Sequence, residues 1–125
     1  FVKDLPQIMS EIGFIKKSAR HYMHPECKHI FVEFPSSFLE IGDDSKITPD
    51  EVEVDGVKIK ILSPTDCVKD RLASYIYFKT AEGLTQAVLV AQKHPIKFKE
   101  VEKWRKNERA DWALDDFKRL IRIKA

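Results

Sequence analysis

The stretch from Val57 to Phe78, VKIKILSPTDCVKDRLASYIYF, decides the fold. Val57, Ile59 and Ile61 alternate with Lys58, Lys60 and Leu62, the period-two pattern of a half-buried strand. Ser63-Pro64-Thr65-Asp66 follows, with a cap residue, proline at the first helical position and an acid at the third. A helix is therefore predicted to begin at Pro64, and Val68, Leu72, Tyr75 and Ile76 give it one apolar face. Just upstream, Asp55-Gly56 lies between two alternating runs, so Glu51 to Leu62 reads as a hairpin turning at that pair.

Working outward, Leu5, Ile8, Met9 and Ile12 repeat at helical spacing and predict a first helix over 4–12, stopped by Gly13 and with Phe14 packing beneath it. Ser18 to His24 and Lys28 to Phe34 read as paired strands joined through Pro25-Glu26-Cys27, and Phe38 to Ile41 as an extension of the same sheet. Beyond the helix at Pro64, a second helix spans 81–93 with Leu84, Ala87, Val88 and Ala91 on its apolar side. His94-Pro95 closes it. Phe98, Val101 and Trp104 mark a third helix, and Trp112, Leu114, Phe117, Leu120 and Ile121 a last one beginning near Asp111.

The 125 residues suit a single domain, and a third of them are charged and interspersed with apolar ones, as in a soluble globular protein. No apolar run approaches the ~20 residues that span a bilayer and no leader pattern opens the chain, which points to the cytoplasm and away from a membrane. Cys27 and Cys67 are too few for a disulfide framework and fit a reducing compartment. The chain opens at Phe1 without a methionine, which suggests further sequence upstream. Residues 93–125 hold 11 Lys and Arg against 6 Asp and Glu, a net of plus five, so a polyanion partner comes into question. The signs alternate between Lys97 and Arg109, however, as on solvated helix faces, and nucleic acid is not the expected partner.

Three groups of residues could carry chemistry. His21, His24, Cys27 and His29 are four zinc-ligand types within nine residues, but strand alternation sends His21 and His29 to different faces, and no structural zinc is expected. Asp43, Asp44, Asp50, Glu51 and Glu53 could attract magnesium or calcium, although they lack the spacing of a calcium loop and read better as a solvated acidic edge. The third group joins Glu33, on a predicted strand, to Lys69, Asp70 and Arg71 on the helix after Pro64. Asp70 and Arg71 are adjacent in sequence and are expected on diverging faces, in ordinary ion pairs.

The order Gly13-Phe14, paired strands, VEFP over 32–35, FLEIG over 38–42, a hairpin and then ILSPTDCVKDRLASYIYFKTAEGLTQAVLVAQ resembles the later part of uncharacterised prokaryotic nucleotidyltransferase-like proteins related to the abortive-infection toxins. The resemblance covers 13–92 and rests on Pro64, Asp66 and Arg71-Leu72-Ala73 at the start of the helix. It implies a magnesium-dependent transferase acting on a nucleoside triphosphate, with Glu33 as a metal ligand and Arg71 and Lys69 near the phosphates. The family's Gly-Ser turn and paired aspartates have no counterpart between Phe1 and Ala125, and Thr85-Gln86-Ala87 stands where an acid is expected. Two magnesium ions need several carboxylates to hold them roughly 4 Å apart, so this chain by itself is expected to be inactive in transfer.

The expectation is thus an α+β domain over 1–125, sheet-rich over 14–62 and helical over 64–124, in which one small mixed or antiparallel sheet packs on helices. The competing class is a non-catalytic interaction or regulatory module, antitoxin-like, that meets a protein partner.

Overall fold

Asp55 and Gly56 adopt φ of 50° and 78°, the pair of positive values that closes a two-residue hairpin with the right twist. The turn joins two antiparallel strands, Asp50–Val54 and Val57–Ile61, in the register Val54 opposite Val57 and Val52 opposite Ile59. Ser63 then caps the next helix, its Oγ accepting the Asp66 N–H at 3.1 Å. These local features form as the sequence predicts. The computed structural model describes residues 3–35, 40–42 and 46–124. They fall into two compact units, Phe1–Phe38 and Leu39–Ala125.

In the first unit, helix α1 (Leu5–Glu11) ends before Gly13, where φ is 90°. Three antiparallel strands follow in the order β1 (Ile15–Lys16), β2 (His21–His24) and β3 (Cys27–Glu33). Leu5 and Met9 from the helix and Tyr22 from β2 are buried together, with Phe14, Val32 and Phe34 packed around them. Tyr22 meets Phe34 edge-on at 5.7 Å. Alternation then places Ile15, Met23 and Phe31 in register on the other face of the sheet, where Ile15 and Phe31 are exposed.

The second unit consists of the hairpin, β4 (Asp50–Val54) and β5 (Val57–Ile61), and four helices: α2 (Pro64–Phe78), α3 (Ala81–Lys93), α4 (Phe98–Glu108) and α5 (Asp111–Lys124). Val68 and Leu72 of α2 are buried among Ala87 and Val88 of α3, Val101 and Trp104 of α4, and Leu114 and Phe117 of α5, with Ile41 completing the cluster. The Trp104 indole N–H donates to the Ile41 carbonyl at 3.0 Å, which satisfies both groups inside the core. Tyr75 and Tyr77 anchor the same helix by their hydroxyls, the first donating to Asp116 of α5 at 2.8 Å and the second to Glu108 of α4. Among the described residues no helix is long and apolar enough to cross a membrane.

The fold class is α+β, but two expectations are corrected. Among the described residues the antiparallel strands form two separate sheets, of three and two strands, rather than one. The strand expected to be half-buried is exposed along its length, with Val57 at 62%, Ile59 at 42% and Ile61 at 43%. Alternation fixes which side chains share a face, but burial needs a second layer, and a two-stranded hairpin supplies none of its own. Trp112, one of the residues that mark the last helix, is likewise exposed, edge-on to Tyr75 and beneath the Lys79 ammonium. Phe38 and Leu39 of the expected sheet extension lie outside the described residues.

Helices α2 and α3 approach so closely that a Cβ at Gly83 would stand 2.6 Å from the Arg71 carbonyl oxygen and 3.1 Å from the Tyr75 nitrogen. Backbone atoms cannot swing aside as a side-chain tip can, so any larger residue must push the helices apart. Gly83→Ala is expected to destabilise the protein by about 1–3 kcal/mol, the usual range for overpacking, as a lowered urea midpoint at unchanged slope.

Candidate functional site

Helix α2 turns about 100° per residue, so Lys69 and Arg71, two positions apart, leave it on nearly opposite sides. Lys69 points inward. Its side chain is 8% exposed and its Nζ lies 3.3 Å from Asp66 Oδ1, itself buried beneath the helix N-terminus. Arg71 points toward solvent at the junction with α3. Its Nε donates to Asp70 Oδ2 at 3.0 Å, its Nη2 donates to the same oxygen, and its Nη1 donates to Gln86 Oε1 at 3.0 Å. Gln86 in turn donates from Nε2 to Glu82 Oε1 at 3.0 Å, so a continuous polar chain crosses from α2 to α3.

Two shallow depressions share Arg71 and Ser74. One, of ≈270 Å³, is bounded by Glu40, Gly42, Asp70, Tyr77 and Phe78 as well, and the other, of ≈250 Å³, by Thr80, Glu82, Gly83 and Gln86. Behind Gly42 and Tyr77 of the first lies Glu108, whose carboxylate is close to Gly42 and accepts the Tyr77 hydroxyl. Three carboxylates, Glu40, Asp70 and Glu82, border the two depressions against the single guanidinium of Arg71. Cys67 lies one turn before Arg71 and is half-buried. Burial pushes its thiol upward and Asp70 adds to that, while the Arg71 charge opposes it.

One expectation about this helix changes. Asp70 and Arg71 do not diverge, because the long arginine side chain folds back over its neighbour and makes the ion pair itself. Lys69, expected near the phosphates, is held in a buried pair with Asp66. Gln86, read only as a missing acid, proves to be the second anchor of Arg71, a role that only the α2–α3 geometry reveals.

Glu33 belongs to the first unit, where it stands opposite His21 in the β2–β3 ladder, its Oε1 3.5 Å from His21 Nε2. The His21 Nδ1 lies 2.7 Å from Ser18 Oγ. The other histidine-group members have separate neighbours. His24 stacks edge-on with Phe14 and accepts the Glu26 N–H through Nδ1, whereas His29 Nε2 is 3.9 Å from Cys27 Sγ. Among the described residues no three His, Cys, Asp or Glu side chains gather in a metal-holding group. Of the acidic run, Asp43 and Asp44 lie outside the described residues, while Asp50, Glu51 and Glu53 are exposed, with Glu51 3.7 Å from Lys58.

The basic C-terminal third is laced with ion pairs: Lys97 with Glu100, Arg105 with Asp111, Lys118 with Glu102 and Arg119 with Asp116. The Lys118 ammonium donates to Glu102 at 2.5 Å and holds that carboxyl below its usual range. Such pairs order the helix surfaces and leave the net of plus five unchanged.

Because Lys69 compensates a buried carboxylate, Lys69→Met is expected to destabilise the fold by about 3 kcal/mol, the lower end for breaking a buried pair. Adding Asp66→Asn should restore part of the loss, and thermal melting of the single and double variants checks both. Comparison of the chain with protein-family models, with curated proteins and with solved structures finds no match.

Proposed function

We propose that this chain is nucleotidyltransferase-like and that Arg71 contacts the phosphates of a nucleoside triphosphate. The observation that supports the reading is the placement of Arg71: a planar guanidinium, braced by Asp70 and Gln86, opening on two adjoining depressions. A guanidinium held flat loses little freedom on meeting a phosphate and can offer paired donors. The surrounding Glu40, Asp70 and Glu82 would repel a bare triphosphate. The ligand is therefore its magnesium complex, in which the ion takes phosphate oxygens and lowers the charge that reaches the groove.

Transfer needs more than this contact, since paired metal ions require several converging carboxylates. The activity proposed for the residues described is nucleotide binding, with magnesium arriving as part of the ligand. Lys69 takes no part, and Glu33 is left with His21. The second reading, a non-catalytic interaction or regulatory module in the cytoplasm, is favoured by five aliphatic side chains, Val52, Val54, Val57, Ile59 and Ile61, that share one face of the hairpin and are all exposed.

Thermal melting in magnesium with ATP, GTP, CTP and UTP in turn tests the proposal. At a ligand concentration about 100 times Kd, binding to the folded state adds about 2.7 kcal/mol, enough for a rise of several degrees. At least one nucleotide should raise Tm, Arg71→Ala should abolish the rise, and Gln86→Ala should diminish it. No rise with any of the four, or an equal rise in Arg71→Ala, rejects nucleotide binding at Arg71 and leaves the interaction module.

A further inference from the structure

The segment Lys17-Ser18-Ala19-Arg20-His21 turns tightly into β2, and the turn is organised around one oxygen. Ser18 Oγ accepts the backbone N–H of Arg20 at 3.3 Å and that of His21 at 3.2 Å. Its own hydrogen is therefore free to be donated, and His21 Nδ1 stands 2.7 Å away. For Nδ1 to accept, the ring hydrogen must sit on Nε2. That nitrogen faces Glu33 Oε1 at 3.5 Å across the directly opposed pair of β2 and β3. The three groups thus line up as a hydroxyl, an imidazole and a carboxylate, with the carboxylate 3.5 Å from the imidazole Nε2. All three side chains are exposed, so a substrate can reach the hydroxyl.

We propose that Ser18 is a nucleophile toward activated acyl donors, with His21 as its general base and Glu33 as the residue that positions the imidazole. The logic is that of an activated nucleophile in general: the base lies within hydrogen-bond reach and a third group orients it. A 3.5 Å separation at the outer contact shortens when the imidazole takes up a proton and faces an anion. The two amides fix the position of Ser18 Oγ, and one of them must let go as the oxygen attacks. They are aimed at the nucleophile rather than at the acyl oxygen, so the substrate class is one with a good leaving group, an aryl ester or a thioester.

In acylation the Ser18 Oγ–acyl bond forms, the hydroxyl proton passes to His21 Nδ1, and the bond to the leaving aryloxide or thiolate breaks with its electron pair. The proton on His21 then goes to the leaving group or to solvent. Water, deprotonated by His21, attacks the acyl-serine, releases the carboxylic acid and restores the Ser18 hydroxyl. One aryl ester or thioester and one water yield one carboxylic acid and one phenol or thiol.

The decisive experiment treats the whole chain with an alkyl fluorophosphonate, which loses fluoride as it bonds to a serine oxygen, and maps the adduct by peptide mass spectrometry. Hydrolysis of 4-nitrophenyl acetate is followed in parallel. The adduct is expected on Ser18, with a labelling rate at least tenfold lower in His21→Gln and lowered in Glu33→Gln at unchanged melting temperature. Ser18→Ala should lose both the adduct and the Ser18-dependent hydrolysis. Should Ser18→Ala disturb the turn, Ser18→Cys keeps it, and its alkylation by iodoacetamide, mapped apart from Cys27 and Cys67, should slow when His21→Gln is added. Absence of an adduct on Ser18 in the folded chain, or labelling and alkylation that are indifferent to His21→Gln, overturns the proposal and leaves Ser18 as a turn-capping residue.

Discussion

The contact on which the second unit depends is the bare backbone crossing at Gly83. With no Cβ in the way, the first turn of α3 rests on the carbonyl of Arg71, and that distance lets Ala87 and Val88 reach Val68 and Leu72. The same approach brings Gln86 within 3.0 Å of the Arg71 guanidinium. Core and groove are consequences of one packing distance. The polar groups of α2 fix the remaining helices around this pair: Thr65 Oγ1 accepts the Lys97 N–H at the start of α4, and Tyr75 and Tyr77 reach α5 and α4 near its other end.

Within that frame the fates of two neighbouring cations are set by helix geometry rather than by residue type. Lys69 faces inward and must be neutralised, since an unpaired buried ammonium would cost several kcal/mol. Arg71 lies at the helix junction, where its five donors can be shared between Asp70, Gln86 and solvent. A sequence pattern that selects both as basic residues near a phosphate cannot separate them. The helical angle combined with knowledge of the buried face does so, and that face could be inferred from Val68, Leu72 and Ile76.

What was legible in the sequence was local chemistry. The positive-φ demand at Asp55-Gly56, the Ser63 cap, the proline at the first helical position and the 3.6-residue periods of α2 to α5 each act within a few residues. What was hidden depends on relations between elements. Alternation in Val57–Ile61 groups the aliphatic side chains correctly yet says nothing of a covering layer, and Trp112 is apolar in pattern yet exposed beside Tyr75 and Lys79. The surroundings of Ser18 are not legible in the sequence because they depend on the β2–β3 register. Only that register puts Glu33 opposite His21.

The hairpin shows how an exposed element can still be specified. Its apolar face carries the cross-strand pairs Val52–Ile59 and Val54–Val57, and its other face carries Glu51–Lys60 and Glu53–Lys58, with a diagonal Lys58–Glu51 contact. Each such pair contributes about 0.2–1 kcal/mol, so the four together only approach what a two-stranded ribbon needs in water. The turn tips the balance by removing alternative registers: a slip of one residue would move Val52 and Val54 to the charged face and place Glu51 and Glu53 among the aliphatics. The β4 strand is acidic where β5 is basic, so the correct pairing also matches charge. Register is thereby fixed without burial, which is why sequence alone could locate this element so well and misjudge its exposure so completely.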